Sequence, residues 1–177
     1  MVVELEKAYF GKKNFLAIKP VVDSRSERSL EDVIAATFKG LPITNVANFV
    51  LSISEPKQLS DYIMKKLNRD LNIVAFDETQ FFGQWIIQAI KTLAWQFGLD
   101  VLVSGLDTDY KREGFGPMPE IMAIADEVHK LKAVCFECGQ EAQFTQKLTG
   151  LTTSEIEVGN TEKYEARCGK CYYEYVG

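Results

Sequence analysis

Several features that mark membrane, secreted or nucleic-acid-binding proteins are missing from this sequence. No hydrophobic run approaches the roughly 20 residues that a membrane-spanning helix needs, and residues 1–11 do not resemble a signal peptide. The formal net charge is −5, whereas proteins that bind duplex nucleic acid usually display a basic face. There are no internal repeats or low-complexity tracts. We therefore expect a cytoplasmic protein that binds neither membranes nor nucleic acid.

A recognisable phosphate-binding motif is also missing. Nucleotide-binding loops of the form Gly-x-x-x-x-Gly-Lys-Ser/Thr cradle phosphates with their backbone amides. The Gly11-Lys12-Lys13 segment does not match, because residue 6 is Glu and residue 13 is neither Ser nor Thr. We therefore reject this Gly-Lys segment as a phosphate-binding loop. Any phosphate binding by these residues has to rely on other motifs.

Cysteine and histidine are scarce, but the cysteines are regularly spaced. The four cysteines form two C-x-x-C pairs, Cys135/Cys138 and Cys168/Cys171, separated by 29 residues. Two such turns supply four thiolates to one tetrahedral zinc ion. Two disulfides are the alternative, and they are disfavoured in a reducing compartment. The single histidine, His129, is interpreted as an ordinary helix-end residue because four thiolates already satisfy zinc.

Hydrophobic periodicity predicts an α/β core built on a parallel sheet. Apolar runs at residues 14–18, 71–76, 99–104 and, more weakly, 132–136 are typical of buried strands. Helices are predicted at residues 57–67 after Pro56, at 84–97 with Gly98 as the stop signal, and at 119–129. Residues 23–31 are interpreted as a polar surface loop. The predicted organisation is a core at residues 1–134 and a zinc-built lobe at residues 135–177.

Carboxylates follow the second predicted strand directly. Asp77 and Glu78 are succeeded by Thr79, Gln80 and two phenylalanines, and ligands of open α/β sheets bind beyond the carboxyl ends of the strands. An Asp at such a position commonly holds Mg²⁺ in phosphoryl-transfer enzymes, and a neighbouring Glu can act as general base. The alternative reading is that both acids only cap the next helix.

The next strand end carries aromatic residues. After Ser104, Gly105 permits a close turn, and Tyr110 and Phe115 flank a basic pair. Such aromatics suit a flat heterocycle, or alternatively fill core. Arg25, after the first strand, is a candidate phosphate contact or a solvated surface arginine.

Taken together, these segments resemble the type II, zinc-containing thymidine kinases. The matching stretches appear in family order and cover almost the whole chain. They are IKPVVDSR (residues 18–25), FDETQFF (76–82), GLDTDY (105–110), KLKAVCFEC (130–138), AQFTQKL (142–148), VG (158–159) with Tyr164, and RCGKC (167–171).

The resemblance implies a P-loop NTPase-like, RecA-like core with a small zinc-ribbon lobe that carries a lasso loop. It implies transfer of the ATP γ-phosphate to the 5′-hydroxyl of deoxythymidine, with ATP, Mg²⁺ and a structural Zn²⁺. Glu78 matches the general base and Asp77 the Mg²⁺-associated acid. The nucleotide-contacting positions are matched by Gln80, Asp23, Ser24 and Arg25.

The resemblance also implies a thymine pocket and an oligomer. The family's pocket positions are matched by Phe81, Leu106, Tyr110, Phe115, Thr145, Val158, Gly159 and Tyr164. Tyr110 departs from the family, in which Phe is more usual there. The family is typically tetrameric, so a homotetramer is implied.

In the family, the phosphate-binding strand and loop precede the helix in which this sequence begins. Roughly 15–25 residues are therefore expected to be missing, through a misassigned start, a truncated gene or a true inactive form. A non-catalytic nucleoside-binding protein is the main alternative function, and a zinc-ribbon nucleic-acid binder is a weaker one.

This expectation is testable in the gene. Translation of the DNA upstream of Met1 should yield an in-frame Gly-x-x-x-x-Gly-Lys-Ser/Thr segment. An early in-frame stop codon would contradict the misassigned start.

Overall fold

A computed structural model describes residues 2–20, 50–53, 57, 59, 61, 71–148 and 163–176. The elements in chain order are helix α1 (Val2–Phe10), strands β1 (Asn14–Pro20), β2 (Val50–Ile53) and β3 (Leu71–Phe76), helix α2 (Trp85–Lys91), strand β4 (Asp100–Val103), helix α3 (Met118–Ile124), strands β5 (Ala133–Val134), β6 (Glu141–Ala142), β7 (Phe144–Lys147) and β8 (Tyr164–Arg167), and helix α4 (Gly169–Val176). A 3₁₀ turn, Thr79–Phe81, follows β3.

The core of the fold is a four-stranded parallel sheet in the order β2-β1-β3-β4. The apolar residues of β1 and β3 are buried on both sides of the sheet. This is the pattern expected of a parallel sheet that is covered on both faces. The predicted mixed α/β class with a parallel sheet is therefore confirmed, as are strands β1, β3 and β4.

Helix α1 covers one face of this sheet with small and branched side chains. Leu5 and Ala8 form one buried cluster with alternate residues of β1 and β3, namely Phe15, Ala17, Ile73 and Ala75. The period of two along the strands and of about four along the helix is what brings these residues together. Burial of α1 against β1 and β3 therefore supports the strands that carry the site.

Helix α2 differs from the predicted helix at residues 84–97 in its last turn. After Lys91 the chain continues as a π-helix, Thr92–Gln96, in which the Phe97 amide donates to the Thr92 carbonyl. The wider turn rotates the following side chains, so Phe97, expected to be buried, is 46% exposed. Gly98 ends the helix with φ of +64°, a conformation that glycine adopts readily.

Two other sequence predictions need correction. The weakly predicted buried strand at residues 132–136 is only β5, which pairs antiparallel with β6 and is exposed, because the run is short and flanked by polar residues. The predicted helix at residues 119–129 is α3, which ends at Ile124, before the charged residues Asp126 and Glu127. Strand β2 was not predicted.

Other predictions fall on parts of the chain that cannot be compared. The predicted loop at residues 23–31 lies outside the described residues. Of the predicted helix at 57–67, only residues 57, 59 and 61 are described, and all three are helical. None of the described helices is long and apolar enough to cross a membrane.

The chain forms two compact units. Unit 1 contains residues 1–106 and 116–118, and unit 2 contains residues 107–115 and 119–177. The loop at residues 107–115 thus groups with the cysteine-bearing segment, whereas the sequence-based division at residue 134 assigned it to the core. That division stays a prediction.

We expect Leu5→Ala to lower the free energy of unfolding by about 2–5 kcal/mol, because it leaves a cavity under α1. Urea unfolding measures the change. The control is Phe10→Ala in the same helix, whose side chain is 78% exposed and whose loss should change stability by less than about 1 kcal/mol. Equal losses in the two variants would contradict the packing of α1.

Candidate functional site

The carboxyl ends of β1, β3 and β4 bring three polar side chains into one row. The strands align Ile18 with Phe76 and Phe76 with Val103. The next residue in each case is polar: Lys19, within β1, Asp77, directly after β3, and Ser104, directly after β4. The Lys19 Nζ lies 3.2 Å from Asp77 Oδ2, and the Ser104 hydroxyl donates to Asp77 Oδ1 at 2.6 Å. Both carboxylate oxygens of Asp77 are therefore held by neighbours.

This row is largely shielded from solvent. The side chains of Lys19 and Asp77 are only 13% and 20% exposed. Removing one partner of such a pair leaves a charge that has lost most of its hydration, which is costly. The position of Asp77 is consequently well defined.

Glu78 occupies an unusual backbone conformation directly after Asp77. Its φ and ψ are 50° and 43°, in the left-handed region, and it precedes the 3₁₀ turn without making a side-chain cap bond. A left-handed non-glycine residue costs about 1–2 kcal/mol, and such residues cluster at functional sites. The capping explanation for this glutamate is therefore not supported.

The 3₁₀ turn is anchored to β3 and β4 through Thr79. The Thr79 amide donates to the Ser104 carbonyl at 3.0 Å, and its hydroxyl donates to the Phe76 carbonyl at 3.2 Å. Thr79 is fully buried. These bonds extend the pairing of the two strands beyond the sheet and fix the turn that carries Glu78.

Gln80, within the turn, is buried and bonded at both ends of its amide. Its Nε2 donates to Glu78 Oε2 at 2.7 Å, and its Oε1 accepts from the Leu106 amide at 3.1 Å. Of the other pocket residues predicted in unit 1, Phe81 is half-buried and Leu106 is 47% exposed.

In unit 2, the loop at residues 107–115 presents Tyr110 on a tight turn. The Asp109 carboxylate accepts from the amides of Lys111 and Glu113 at 2.8 and 2.9 Å. A side chain that bonds its own backbone in this way is a standard device for fixing a turn. The Tyr110 carbonyl in turn accepts from the Tyr172 hydroxyl at 2.8 Å.

The structure brings the rings of Tyr110 and Tyr164 close together. Their ring centroids are 6.4 Å apart and the rings are tilted by 43°. In the β7–β8 hairpin, Lys147 pairs with Tyr164 and Thr145 with Ala166, so Thr145 and Tyr164 share one face. The Lys147 Nζ lies 5.0 Å from the Tyr110 ring centroid. This face thus combines aromatic surface with one hydroxyl and one cation.

The opposite face of the hairpin is held by an arginine. Arg167, buried in β8, donates to Glu137 at 2.6 Å and to Glu165 at 2.5 Å. The bond to Glu137, and then that to Glu165, raise the pKa of Arg167 above its ordinary value, against the opposing effect of burial. Since Glu137 lies between Cys135 and Cys138, this pair ties the hairpin to the first cysteine turn.

The four cysteines form one compact cluster. Their sulfur atoms all lie within 4.8 Å of one another, Cys138 and Cys168 are 3.6 Å apart, and all four are free thiols. Zn–S bonds of about 2.3 Å in a tetrahedron require sulfur atoms slightly under 4 Å apart, so this donor set fits zinc. The disulfide alternative is not supported.

The first cysteine turn is stabilised by its own backbone. The Cys135 amide donates to the Gln140 carbonyl at 2.7 Å, and Gly139 returns a bond to the Cys135 carbonyl. Burial raises the pKa of the Cys135 thiol, but hydrogen bonds from the backbone at Cys168, Cys138 and Glu137 outweigh burial and lower that pKa to about 6. A thiolate at this position is the form that binds metal.

Five of the predicted site residues lie outside the described residues and stay predictions. They are Asp23, Ser24, Arg25, Val158 and Gly159. Among the remaining residues, Asp77, Glu78 and Gln80 gather in unit 1, with Phe81 and Leu106 on the same strand-end segments. In unit 2, Tyr110, Thr145 and Tyr164 gather at the hairpin, and Phe115 ends the loop half-buried.

Sequence reasoning did not select Lys19, Ser104 or Lys147. Lys19 and Ser104 could have been found by aligning the three strand ends, because each directly follows the residue that aligns with Phe76 in the neighbouring strand. Lys147 could have been found from the period of two along β7, which puts it on the face of Thr145.

The family model described as thymidine kinase matches residues 4–172 of the chain. The chain is 34% identical over 167 residues to a thymidine kinase of Mycoplasma genitalium, covering 93% of this chain and 72% of that protein. It is 33% identical over 175 residues to one of Bacteroides thetaiotaomicron, covering 97% and 78%. It is 47% identical over 112 residues to one of Mycoplasma mobile, covering 63% and 55%.

We expect the purified protein to contain one zinc ion per chain, because the four thiols form one site. Cys171→Ser should lose most of this zinc, as metal analysis after gel filtration would detect. His129→Ala is the control, since the His129 side chain is 73% exposed and pairs only with Glu127 among the described contacts. Loss of zinc from the His129 variant would contradict a four-thiolate site.

Proposed function

This chain belongs to the thymidine kinase family, and we propose that it transfers the γ-phosphate of ATP to the 5′-hydroxyl of deoxythymidine, giving dTMP. The observation that carries the proposal is the end of β3. There, a shielded Asp77 is followed by Glu78 in a left-handed conformation, with its carboxylate held by Gln80. Asp77 and Glu78 thus lie in different environments at the carboxyl edge of a parallel sheet, where α/β proteins bind ligands.

We assign the role of general base to Glu78. A general base must satisfy two conditions. Its carboxylate must come within hydrogen-bond reach of the attacking hydroxyl, and the carboxylate must be oriented before the reaction. Glu78 meets the second condition, because its backbone is held by the anchored turn and its side chain by Gln80. In phosphoryl transfer, most of the acceleration comes from positioning and charge neutralisation.

Asp77 is the residue we assign to magnesium. Its two oxygens are oriented by Ser104 and Lys19, and a carboxylate of this kind would hold Mg²⁺ directly or through water. Mg²⁺, when bound with ATP, neutralises charge on the phosphates. Lys19 adds a positive charge at the same edge. We further assign Asp23, Ser24 and Arg25 to the nucleotide side, following the family positions; Gln80 lies in the same nucleotide-contacting segment, where its amide holds Glu78.

We assign thymine binding to the residues that match the family's pocket positions, each unit being considered by itself. In unit 1 these are Phe81 and Leu106. In unit 2, Tyr110 and Tyr164 offer aromatic surface, and Thr145 offers a hydroxyl on the face of Tyr164. Phe115, Val158 and Gly159 complete the proposed set. Flat heterocycles are bound well by such aromatic surfaces with a few polar groups.

We propose that zinc is structural. Four thiolates leave no open position for substrate, unlike catalytic sites, which keep one. The metal stabilises the hairpin that carries Thr145 and Tyr164. We also propose a P-loop NTPase-like, RecA-like core, a cytoplasmic location and a homotetramer, on the basis of the family alone.

In a protein that carries the phosphate-binding loop, we expect Glu78→Gln to lower kcat by roughly 10²–10⁴-fold, as for loss of a general base, with thymidine affinity changed by less than about threefold. Formation of dTMP from ATP and radiolabelled thymidine measures turnover, and calorimetry measures binding. Glu4→Gln, an exposed acid on α1 that pairs with Lys7, should retain normal rates. A near-normal kcat in Glu78→Gln would remove Glu78 from this role. Thymidine binding without any turnover by the unsubstituted protein that carries the phosphate-binding loop would favour the non-catalytic alternative.

A further inference from the structure

We propose that Gln80 acts as a positioning residue: its side-chain amide orients the Glu78 carboxylate and connects it to the backbone of Leu106. This inference rests on the proposed kinase function, and it gives Gln80 a role beyond the nucleotide contact implied by the resemblance. The two bonds are those from Gln80 Nε2 to Glu78 Oε2, 2.7 Å, and from the Leu106 amide to Gln80 Oε1, 3.1 Å.

The orientation of the Gln80 amide follows from its partners. A backbone N–H can only donate, so the atom that faces Leu106 must be the oxygen Oε1. The nitrogen Nε2 then necessarily faces Glu78, whose ionised carboxylate can only accept. Neither bond survives a flip of the amide, so each of them enforces the other.

The surroundings of Gln80 restrict its side chain to one position. The residue is only 3% exposed. A Cβ added to Gly105 would lie 2.5 Å from Gln80 Oε1, and one added to Gly116, whose φ is +54°, would collide with the Gln80 carbonyl oxygen. Glycine at these two positions therefore lets the chain close around Gln80. A buried amide in such a space has little rotamer freedom to lose when it holds a partner.

The Glu78 carboxylate gains direction from this bond. Glu78 is half-buried at the strand end, and a hydrogen bond to its carboxylate narrows the positions that its rotatable bonds allow. A charge-assisted hydrogen bond of this length is among the stronger ones in proteins. Misplacement of a reacting group by about 1 Å can cost around 100-fold in rate, so the orientation of this carboxylate bears directly on kcat.

The second bond couples the base to the next strand end. Leu106 follows β4 on the segment that begins with Ser104, whose carbonyl accepts from Thr79. Gln80 thus links Glu78 to the segment proposed to contact thymine. A shift of the Leu106 backbone is therefore expected to change the orientation of the Glu78 carboxylate through the Gln80 side chain.

The test uses the protein that carries the phosphate-binding loop, with two substitutions of Gln80. Gln80→Glu keeps an acceptor for Leu106 but replaces the donor to Glu78 with a second carboxylate. Gln80→Leu has similar bulk and removes both bonds. We expect Gln80→Glu to lower kcat by about 10–100-fold with KM values for thymidine and ATP changed by less than threefold, and Gln80→Leu to lower kcat and also raise the KM for thymidine.

The decisive measurement is the effect of Gln80→Glu in the Glu78→Gln background. There is then no base to orient, so we expect the residual kcat to change by less than about threefold. An equal fold-loss in both backgrounds would overturn the proposal. So would a Gln80→Glu effect confined to the KM for ATP, which would indicate direct contact with the nucleotide.

A matched control separates this effect from a general loss of an amide. Gln84→Glu makes the same chemical change four residues away, where the amide is exposed and donates at 3.4 Å to the Gly116 carbonyl. Its kcat and KM values should stay within about twofold of the unsubstituted protein.

Failure of the proposed function would be seen separately, as absence of dTMP formation by the unsubstituted chain. The hydrogen bond is then judged by a double-mutant cycle of Glu78→Gln and Gln80→Glu in urea unfolding. We expect the two substitutions to be non-additive by about fivefold or more in the unfolding equilibrium constant. Additive effects would overturn the proposal.

Discussion

The parallel register of β1, β3 and β4 is the constraint on which the rest of the site depends. Paired strands lie about 4.8 Å apart, so residues at matching positions become neighbours even though 57 residues lie between Lys19 and Asp77 and 26 between Asp77 and Ser104. The buried apolar residues of β1 and β3 fix this register, because a slip by one residue would turn every side chain to the other face. The alignment of Lys19, Asp77 and Ser104 at the carboxyl edge therefore depends on the buried apolar residues of the strands.

The 3₁₀ turn extends the same constraint to the catalytic candidates. Its amide at Thr79 is bonded to the carbonyl of Ser104, as though the β3–β4 pairing continued past the strands. This anchoring accounts for how Glu78 is maintained in a left-handed conformation that would be unfavourable in a free chain. The strain at Glu78 is offset by buried contacts on either side of it.

Unit 2 relies on a different source of order. Its hairpin strands have four residues each, and a hairpin of that size has little independent stability in water. The cysteine cluster and the ion pairs of Arg167 hold it from one side. The other face is left to Tyr164, Thr145 and Lys147. The two faces carry different residues because successive side chains along a strand point to opposite sides.

Local patterns were sufficient where a single segment carried the information. The bounds of β3, the stop at Gly98 and the four-thiol cluster were all predicted from spacing and composition. The prediction failed where a local pattern competed with a longer-range one. The apolar spacing that placed Phe97 on a buried face could not reveal the π-helix before it. The apolar run at residues 132–136 was too short to distinguish a core strand from a strand outside the parallel sheet.

The sequence by itself determined the parallel α/β class, the strand-end acids Asp77 and Glu78, the cluster of four cysteines and the family, because each is carried by residue types in recognisable local patterns. Only the tertiary structure decided that Lys19 and Ser104 hold Asp77, that Gln80 joins Glu78 to Leu106, and that Lys147 lies beside Tyr110. The physical reason is that a hydrogen bond or ion pair between distant residues has no periodicity along the chain. It exists only when strand register and turn geometry bring the two groups within about 3 Å.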